Sequence, residues 1–226
     1  RREPGLTGSI TRANAEVGDA SLFDLAGIFT VRSVILIEIE TSYISLTRDD
    51  DVVEGFGDAF LWSEARAWKG QRKALLLTSR VRFGSGSAVY FPFSTASTDV
   101  GAGLAFVDSL GGGGEERSSG WPRQLCYWIA ADGTYVLRLS DFLEKNDLHG
   151  HHFTTGAGVL VAFLRRFEIE VGGLGLFFSS GAEREVYFSQ FTAALLPKAD
   201  VHVTVQGEKG ERAVDASLAV GLTVRY

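Results

Sequence analysis

Cysteine is almost missing from this sequence, since Cys126 is the only one in 226 residues. No intramolecular disulfide can form, so packing and backbone hydrogen bonds must hold the fold. Proline is also scarce, with 4 residues against 27 glycines. A surplus of positive charge is lacking: the net charge of −6 excludes the basic footprint that a nucleic-acid partner needs. Long apolar runs are missing too. The longest, such as Val159–Leu164, fall far short of the roughly 18 residues of a spanning helix. Taken alone, that favours a soluble protein. A β-barrel escapes the test, because only alternate residues of its strands face lipid. The chain begins Arg1-Arg2-Glu3-Pro4, with neither an initiating methionine nor a signal peptide, and reads as a mature or trimmed chain.

What is present points to strands. Hydrophobic residues make up 45% and aromatics 12%, with 16 phenylalanines, and helix-favouring runs are few. The C-terminus carries the clearest pattern. Val214, Ala216, Leu218, Val220, Leu222, Val224 and Tyr226 are apolar at every second position, with Asp215, Ser217, Ala219, Gly221, Thr223 and Arg225 between them. This period of two outlasts an ordinary soluble strand of about 5–6 residues and suits a tilted membrane strand of roughly 9–11. Alternating Val220, Leu222 and Val224 before a terminal Tyr226 resemble the signal read by the outer-membrane barrel-insertion machinery.

The pattern recurs upstream. Ile35, Ile37, Ile39 and Tyr43 alternate with Glu38, Glu40 and Ser42, and Leu75, Leu77, Val81 and Phe83 with Thr78, Arg80 and Arg82. Phe167, Ile169 and Val171 alternate with Glu168 and Glu170, and Val201, Val203 and Val205 with His202, Thr204 and Gln206. Charges on one face of a long strand occur in soluble sandwiches. A barrel with a polar lumen accounts for every strand at once.

Strands are predicted at 10–16 (weakly), 21–32, 34–47, 57–68, 74–84, 99–108, 124–139, 153–165, 167–178, 186–196, 201–207 and 212–226. That makes about twelve, an even number, as single-chain bacterial barrels require; ten is the alternative. The whole chain reads as one all-β domain, a transmembrane antiparallel up-and-down β-barrel with residues 1–20 as an N-terminal segment. Counting back from a periplasmic C-terminus, the turns at Ser33, Lys69–Lys73, Arg166 and Pro197–Asp200 are short and periplasmic. Arg48–Phe56, Ser85–Thr98, Ser140–His152 and Ser179–Glu185 are longer and extracellular. Ser109–Arg123 breaks the rule. It is periplasmic by count, yet long and flexible by composition, with Gly111-Gly112-Gly113-Gly114. A hairpin at Ala131-Asp132-Gly133 would move it outside at the cost of an odd count. The shared odd parity of Leu125, Tyr127, Ile129, Tyr135, Leu137 and Leu139 argues for one long strand, although a three-residue turn would also keep it.

Three motifs occur in order: Val34 to Tyr43 after a tight turn, Gly55-Phe56-Gly57-Asp58, and Ser97-Thr98-Asp99-Val100-Gly101. In this the chain resembles the MetA-pathway phenol-degradation family of bacterial outer-membrane β-barrel proteins, over about residues 20–226. That family shows an E-x-P-Y strand end, a G-x-G-D strand start and an S-T-D-V-G strand start. Thr41-Ser42-Tyr43 lacks the usual proline, Phe91-Pro92-Phe93 stands where a Leu-Pro-Thr-Gly is usual, and the Ser109–Arg123 insertion departs from the pattern. The resemblance implies a roughly twelve-stranded barrel that moves small, often apolar, compounds. It brings no catalytic motif.

Parity assigns to the lumen Glu38, Glu40, Asp58, Glu64, Arg66, Arg80, Arg82, Arg138, Glu168, Glu170, His202 and Asp215. Opposed acidic and basic walls can select a solute. A salt-bridged plug that merely fills the lumen is the favoured reading, because twelve strands lie between barrels filled by side chains and open porins. His149, His151 and His152 beside Asp147 could bind a transition metal, but a solvated polar loop is expected. Ser140 and Ser179 could supply a nucleophile next to these histidines, with no spacing to fix it. No catalytic residue and no cofactor is assigned. Trp62, Trp68, Tyr43, Trp121, Tyr187 and Tyr226 include interface anchors. Trp62 and Trp68, however, share the inward parity of Glu64 and Arg66, so either a bulge intervenes or they line the lumen ends.

The barrel pattern together with a charged lumen makes a passive outer-membrane channel for small molecules, apolar ones among them, the first expectation, closely followed by the second. Outer-membrane lipid and the insertion machinery would be its partners, with no nucleic acid. A plugged scaffold barrel that docks other envelope proteins is the second, and a soluble β-sandwich the third.

Overall fold

The computed structural model describes residues 4–15, 18–31, 34–48, 51–87, 90, 93–110, 124–138, 150–163, 166–210 and 214–226. Twelve antiparallel strands pair in chain order, and the first closes on the last. They are β1 (Gly5–Ala15), β2 (Gly18–Val31), β3 (Ile35–Arg48), β4 (Asp51–Lys69), β5 (Lys73–Phe83), β6 (Thr98–Ser109), β7 (Gln124–Arg138), β8 (His152–Phe163), β9 (Phe167–Phe178), β10 (Glu183–Leu196), β11 (Ala199–Gly210) and β12 (Val214–Arg225). An even count puts the start of β1 and the end of β12 at one end, where Gly5 pairs with Arg225. We call this the terminal end. The turns around Val34, Gly70–Arg72, Arg166 and Pro197–Lys198 share it.

Two boundaries differ from expectation. The predicted loop Arg48–Phe56 is mostly strand, since β3 and β4 pair in register from Tyr43↔Phe56 to Arg48↔Asp51. Cross-strand contacts support this extension: Tyr43 meets Phe56 edge to face at 5.6 Å, and Ser45 donates to Glu54 at 3.0 Å. The alternative hairpin at Ala131-Asp132-Gly133 does not form. These residues pair with Leu104, Gly103 and Ala102 on one side and Thr155, Thr154 and Phe153 on the other. Most of the Gly-rich Ser109–Arg123 segment lies outside the described residues.

The barrel is inside-out relative to a soluble protein. Leu6, Ile10, Phe23, Leu25, Ile39, Leu77, Leu104, Ile129, Val171, Val205, Leu218 and Val220 are all exposed, and they lie on the outer face. The largest fully buried side chains are only Ile44, Leu46, Asp99 and Ser97, two of them polar. Burial of apolar surface against water therefore cannot be what this outer wall serves. The compact apolar core, Ala20, Ile44, Leu46 and Tyr90 with Leu22, Val53 and Phe93 packed on it, lies inside the barrel toward the end opposite the termini.

Bulges re-aim particular side chains. Opposite Ser42, β4 inserts Gly57 and Asp58, so Thr41 faces Ala59 while Tyr43 faces Phe56. A second bulge, between Arg66 and Trp68, sets Trp68 opposite Leu75 on the outer face. Trp62 stays inside, opposite Arg80. One tryptophan thus follows each of the two readings left open by the sequence.

Candidate functional site: the lumen wall and the loop folded into it

Register places Glu38 and Glu40 on the inner face of β3, opposite Trp62 and Phe60. Glu64 and Arg66 follow on β4, and Arg80 and Arg82 on β5. Glu168 and Glu170 lie on the inner face of β9, and His202 on that of β11. Arg138 pairs through its backbone with Thr98, and its side chain is not among those described. Asp215 departs from the expected ladder. The β1–β12 register steps from Ala216 to Val214 and skips it. Val214 is buried opposite Ala15, while Asp215 is exposed. A bulge had broken the parity that assigned it.

Asp58 holds the most elaborate contact. It is 2% exposed and receives the connection between β5 and β6. Thr95 donates to its Oδ2 from the backbone N–H at 2.8 Å and from the hydroxyl at 3.0 Å. Ser94 Oγ donates to Oδ1 at 3.1 Å and the Gly86 N–H at 3.3 Å. Arg82 Nη1 donates to Thr95 Oγ1 at 2.7 Å, and Arg82 Nε lies 3.1 Å from the buried Asp99. Tyr90 of the same loop joins the Ile44–Leu46 cluster, entering over Gly55, where a Cβ would collide with its ring. Backbone turned inward needs polar partners, and the Asp58 carboxylate supplies several at once. The described residues of the loop thus pack inside the barrel against β2 to β6.

Elsewhere, long polar side chains lie along the wall instead of crossing it. Arg80 passes over Gly101, where a Cβ would come within 2.9 Å of its Cγ and Nε. It reaches the Thr134 hydroxyl, Asp132 at 3.2 Å and His152 Nε2 at 2.9 Å. Its guanidinium carbon also sits 5.6 Å from the Trp62 ring centroid. A guanidinium cannot accept, so His152 Nε2 accepts and its Nδ1–H donates to the Gly150 carbonyl at 3.1 Å. His202 likewise lies over Gly221 toward Ser9. Asp24 accepts from Ser9 at 3.0 Å and Thr11 at 3.2 Å. Arg225 pairs with Asp200, and Arg184 lies 3.8 Å from Glu208.

The structure does not bring the histidines together. His151 stacks on Tyr135 of the outer face at 4.3 Å and accepts the Val136 N–H at 3.0 Å, whereas His152 points inward. Successive residues of an extended chain take opposite faces. His149, Asp147 and Ser140 lie outside the described residues. Among those described, no three His, Cys, Asp or Glu side chains could share a metal.

The lumen residues that parity did not name are Asp24, Asp99, Asp132, His152, Arg184, Asp200, Glu208 and Arg225. Asp132 had the right parity within the 124–139 strand but sat in a suspected turn. Asp24 lies on β2, where Leu22, Ala26 and Ile28 also face inward, so its strand shows no clean alternation. Of the aromatics expected to include interface anchors, Tyr43, Trp68, Tyr187 and Tyr226 are exposed on the outer face; Trp121 lies outside the described residues. Val220, Leu222 and Val224 are exposed beside them.

No known protein family and no curated protein matches this sequence. Solved structures do match in fold. The NanC porin superposes with a TM-score of 0.65 at 9% identity, covering 97% of this chain and 100% of its own. The KdgM porin gives 0.62 at 7%, covering 97% and 99%. An outer membrane channel from Pseudomonas putida F1 gives 0.60 at 12%, covering 99% and 96%. The chain thus has the fold of transmembrane outer-membrane β-barrels.

Proposed function

We propose that this protein is an outer-membrane channel that passes small solutes through a lumen narrowed by its own inward loop. One observation carries the reading: the outer wall is apolar and exposed while the inner wall is polar, with Arg80 and His202 laid flat over Gly101 and Gly221. A barrel built only to be filled would point those side chains across the lumen. The porin and channel neighbours support it. The terminal end then faces the periplasm, Val220, Leu222, Val224 and Tyr226 serve insertion, and lipid covers the outer wall. Membership of the MetA-pathway phenol-degradation family is part of the proposal. Two motifs behind that resemblance, Gly55 to Asp58 and Ser97 to Asp99, meet in space, since Thr95 bonds both Asp58 and Ser97.

A plugged scaffold that docks other envelope proteins is the second reading, favoured by the burial of Tyr90, Ser94, Thr95 and Ser97. Single-channel recording of the refolded protein in a planar bilayer separates the two. Stable conductance that Arg80→Ala alters is expected of the channel. Insertion without conductance would leave the scaffold.

A further inference from the structure

We propose that the inner wall of β7 to β10 carries a binding site for organic cations, an aromatic platform formed by Trp128 and Phe188 and flanked by the carboxylates of Glu168 and Glu170. The inference deepens the channel reading and rests on it for its biological setting.

Register builds the platform. Trp128 of β7 pairs with Gly158, Gly158 with Gly172, and Gly172 with Phe188 of β10. Two large aromatics thus end one transverse row whose two middle positions have no side chain. Each ring folds over the glycine beside it. A Cβ at Gly158 would come within 2.7 Å of the Trp128 ring, and one at Gly172 within 2.8 Å of Phe188 Cζ. The rings are within 12° of parallel, with centroids 6.3 Å apart. One face of each lies against backbone, so the other is turned to the lumen, and both residues are half-exposed.

The edge of the platform is negative. The Trp128 indole N–H donates to Glu170 Oε1 at 2.8 Å, which fixes the ring's orientation and pins a carboxylate beside it. Glu168 follows on the same face of β9 and is exposed. Elsewhere on the inner wall, Asp99, Asp132, Asp200 and Glu208 each have an arginine partner. Among the described residues, no arginine or lysine forms an ion pair with Glu168 or Glu170. The described residues of the β5–β6 loop pack against β2 to β6, which makes β7 to β10 the wall a solute would follow.

An aromatic face attracts a cation through its quadrupole, and most strongly when the ring is tryptophan. A carboxylate at the ring edge adds direct attraction. Bare metal ions hold their water tightly and gain little from a ring face, whereas an alkylammonium offers charge and apolar surface together. The chemistry selected is therefore a quaternary or alkyl-substituted ammonium.

Choline and its uncharged isostere 3,3-dimethyl-1-butanol provide the test, titrated calorimetrically into the full chain in detergent. Choline is expected to bind at least about tenfold tighter than the isostere, the size of a partly desolvated cation–π contact. Glu168→Gln, on an exposed side chain, should weaken choline several-fold and leave the isostere unchanged. Trp128→Phe should keep part of the affinity, and Trp128→Ala should lose it. Equal binding of the two ligands, a neutral sugar binding in place of choline, or indifference to Glu168→Gln would overturn the site. Bilayer recordings keep the two proposals distinct. Conductance that choline does not block, with no calorimetric binding, defeats the site and spares the channel. Choline binding in detergent without conductance does the reverse.

Discussion

At the scale of single residues, the arrangement turns on how a few side chains are aimed. Asp58 sits in a bulge and accepts from Ser94, Thr95 and Gly86, so one carboxylate anchors an inward loop. Asp58→Ala removes a charged acceptor and leaves buried donors unpaired. The variant is expected to lose about 3 kcal/mol of stability in a denaturant titration, and its single-channel conductance should rise, because the freed loop no longer occupies the lumen. Gly101→Val would drive a side chain into Arg80 and displace it from Thr134, with an expected loss of about 1–3 kcal/mol. Both effects begin from residues whose inward direction or motif was visible in the sequence. What the sequence could not show was the partner. Ser94 and Thr95 lie in a loop without periodicity, and nothing in alternation links position 58 to position 95. Asp215 failed for the opposite reason, since its alternation was clean but the pairing register slips beneath it.

At the scale of elements, period two was legible wherever a strand keeps one face apolar from end to end. β3, β5, β9 and β12 are such strands, and their extents agree with expectation to within a few residues. β4 was cut short because its bulges reverse the alternation twice, so that Phe56 and Trp68 share the outer face with odd-numbered Leu61 and Ala65. The face assignment of β12 is tested by a pair of substitutions. Val220→Arg places a guanidinium on the outer wall and should cost about 2–4 kcal/mol in lipid vesicles, whereas Ser217→Arg, on the inner face, should cost much less. Equal losses would contradict the assigned faces. The β5–β6 connection is a second element to test. Replacing positions 86–94 by a short Gly-Ser turn should leave a closed barrel, because the strand ladder does not depend on this loop. Conductance should increase by more than it does in Asp58→Ala.

At the scale of the whole molecule, the lumen has a sign. On the described inner face, carboxylates outnumber guanidinium groups, since Asp24, Glu38, Glu40, Glu64, Glu168 and Glu170 line it together with Asp99, Asp132, Asp200 and Glu208. A narrow passage lined by one sign of charge concentrates the opposite ion. Under a potassium chloride gradient, the reversal potential should therefore show potassium more permeant than chloride, and the preference should shrink as salt is raised and screening increases. A chloride preference would mean that the arginines, and not the acids, face the conducting path. The twelve-stranded architecture could be read from strand count and turn spacing. The packing of the β5–β6 loop against β2 to β6 could not, since it depends on contacts between strands and a loop far apart in sequence.

The seam between β1 and β12 has a consequence for how such a molecule comes into being. Gly5 meets Arg225, and Ile10 meets Val220, so the ring is completed by two stretches separated by almost the whole chain. Each of the other strand pairs joins neighbours in sequence and can form as a local hairpin. The seam must wait for all of them, and loop-closure entropy opposes it most strongly. Until that last pairing, two bare edges stay open to any passing strand. The hazard in the life of this protein therefore falls in the interval before the ring closes, while both edges can still pair with another strand.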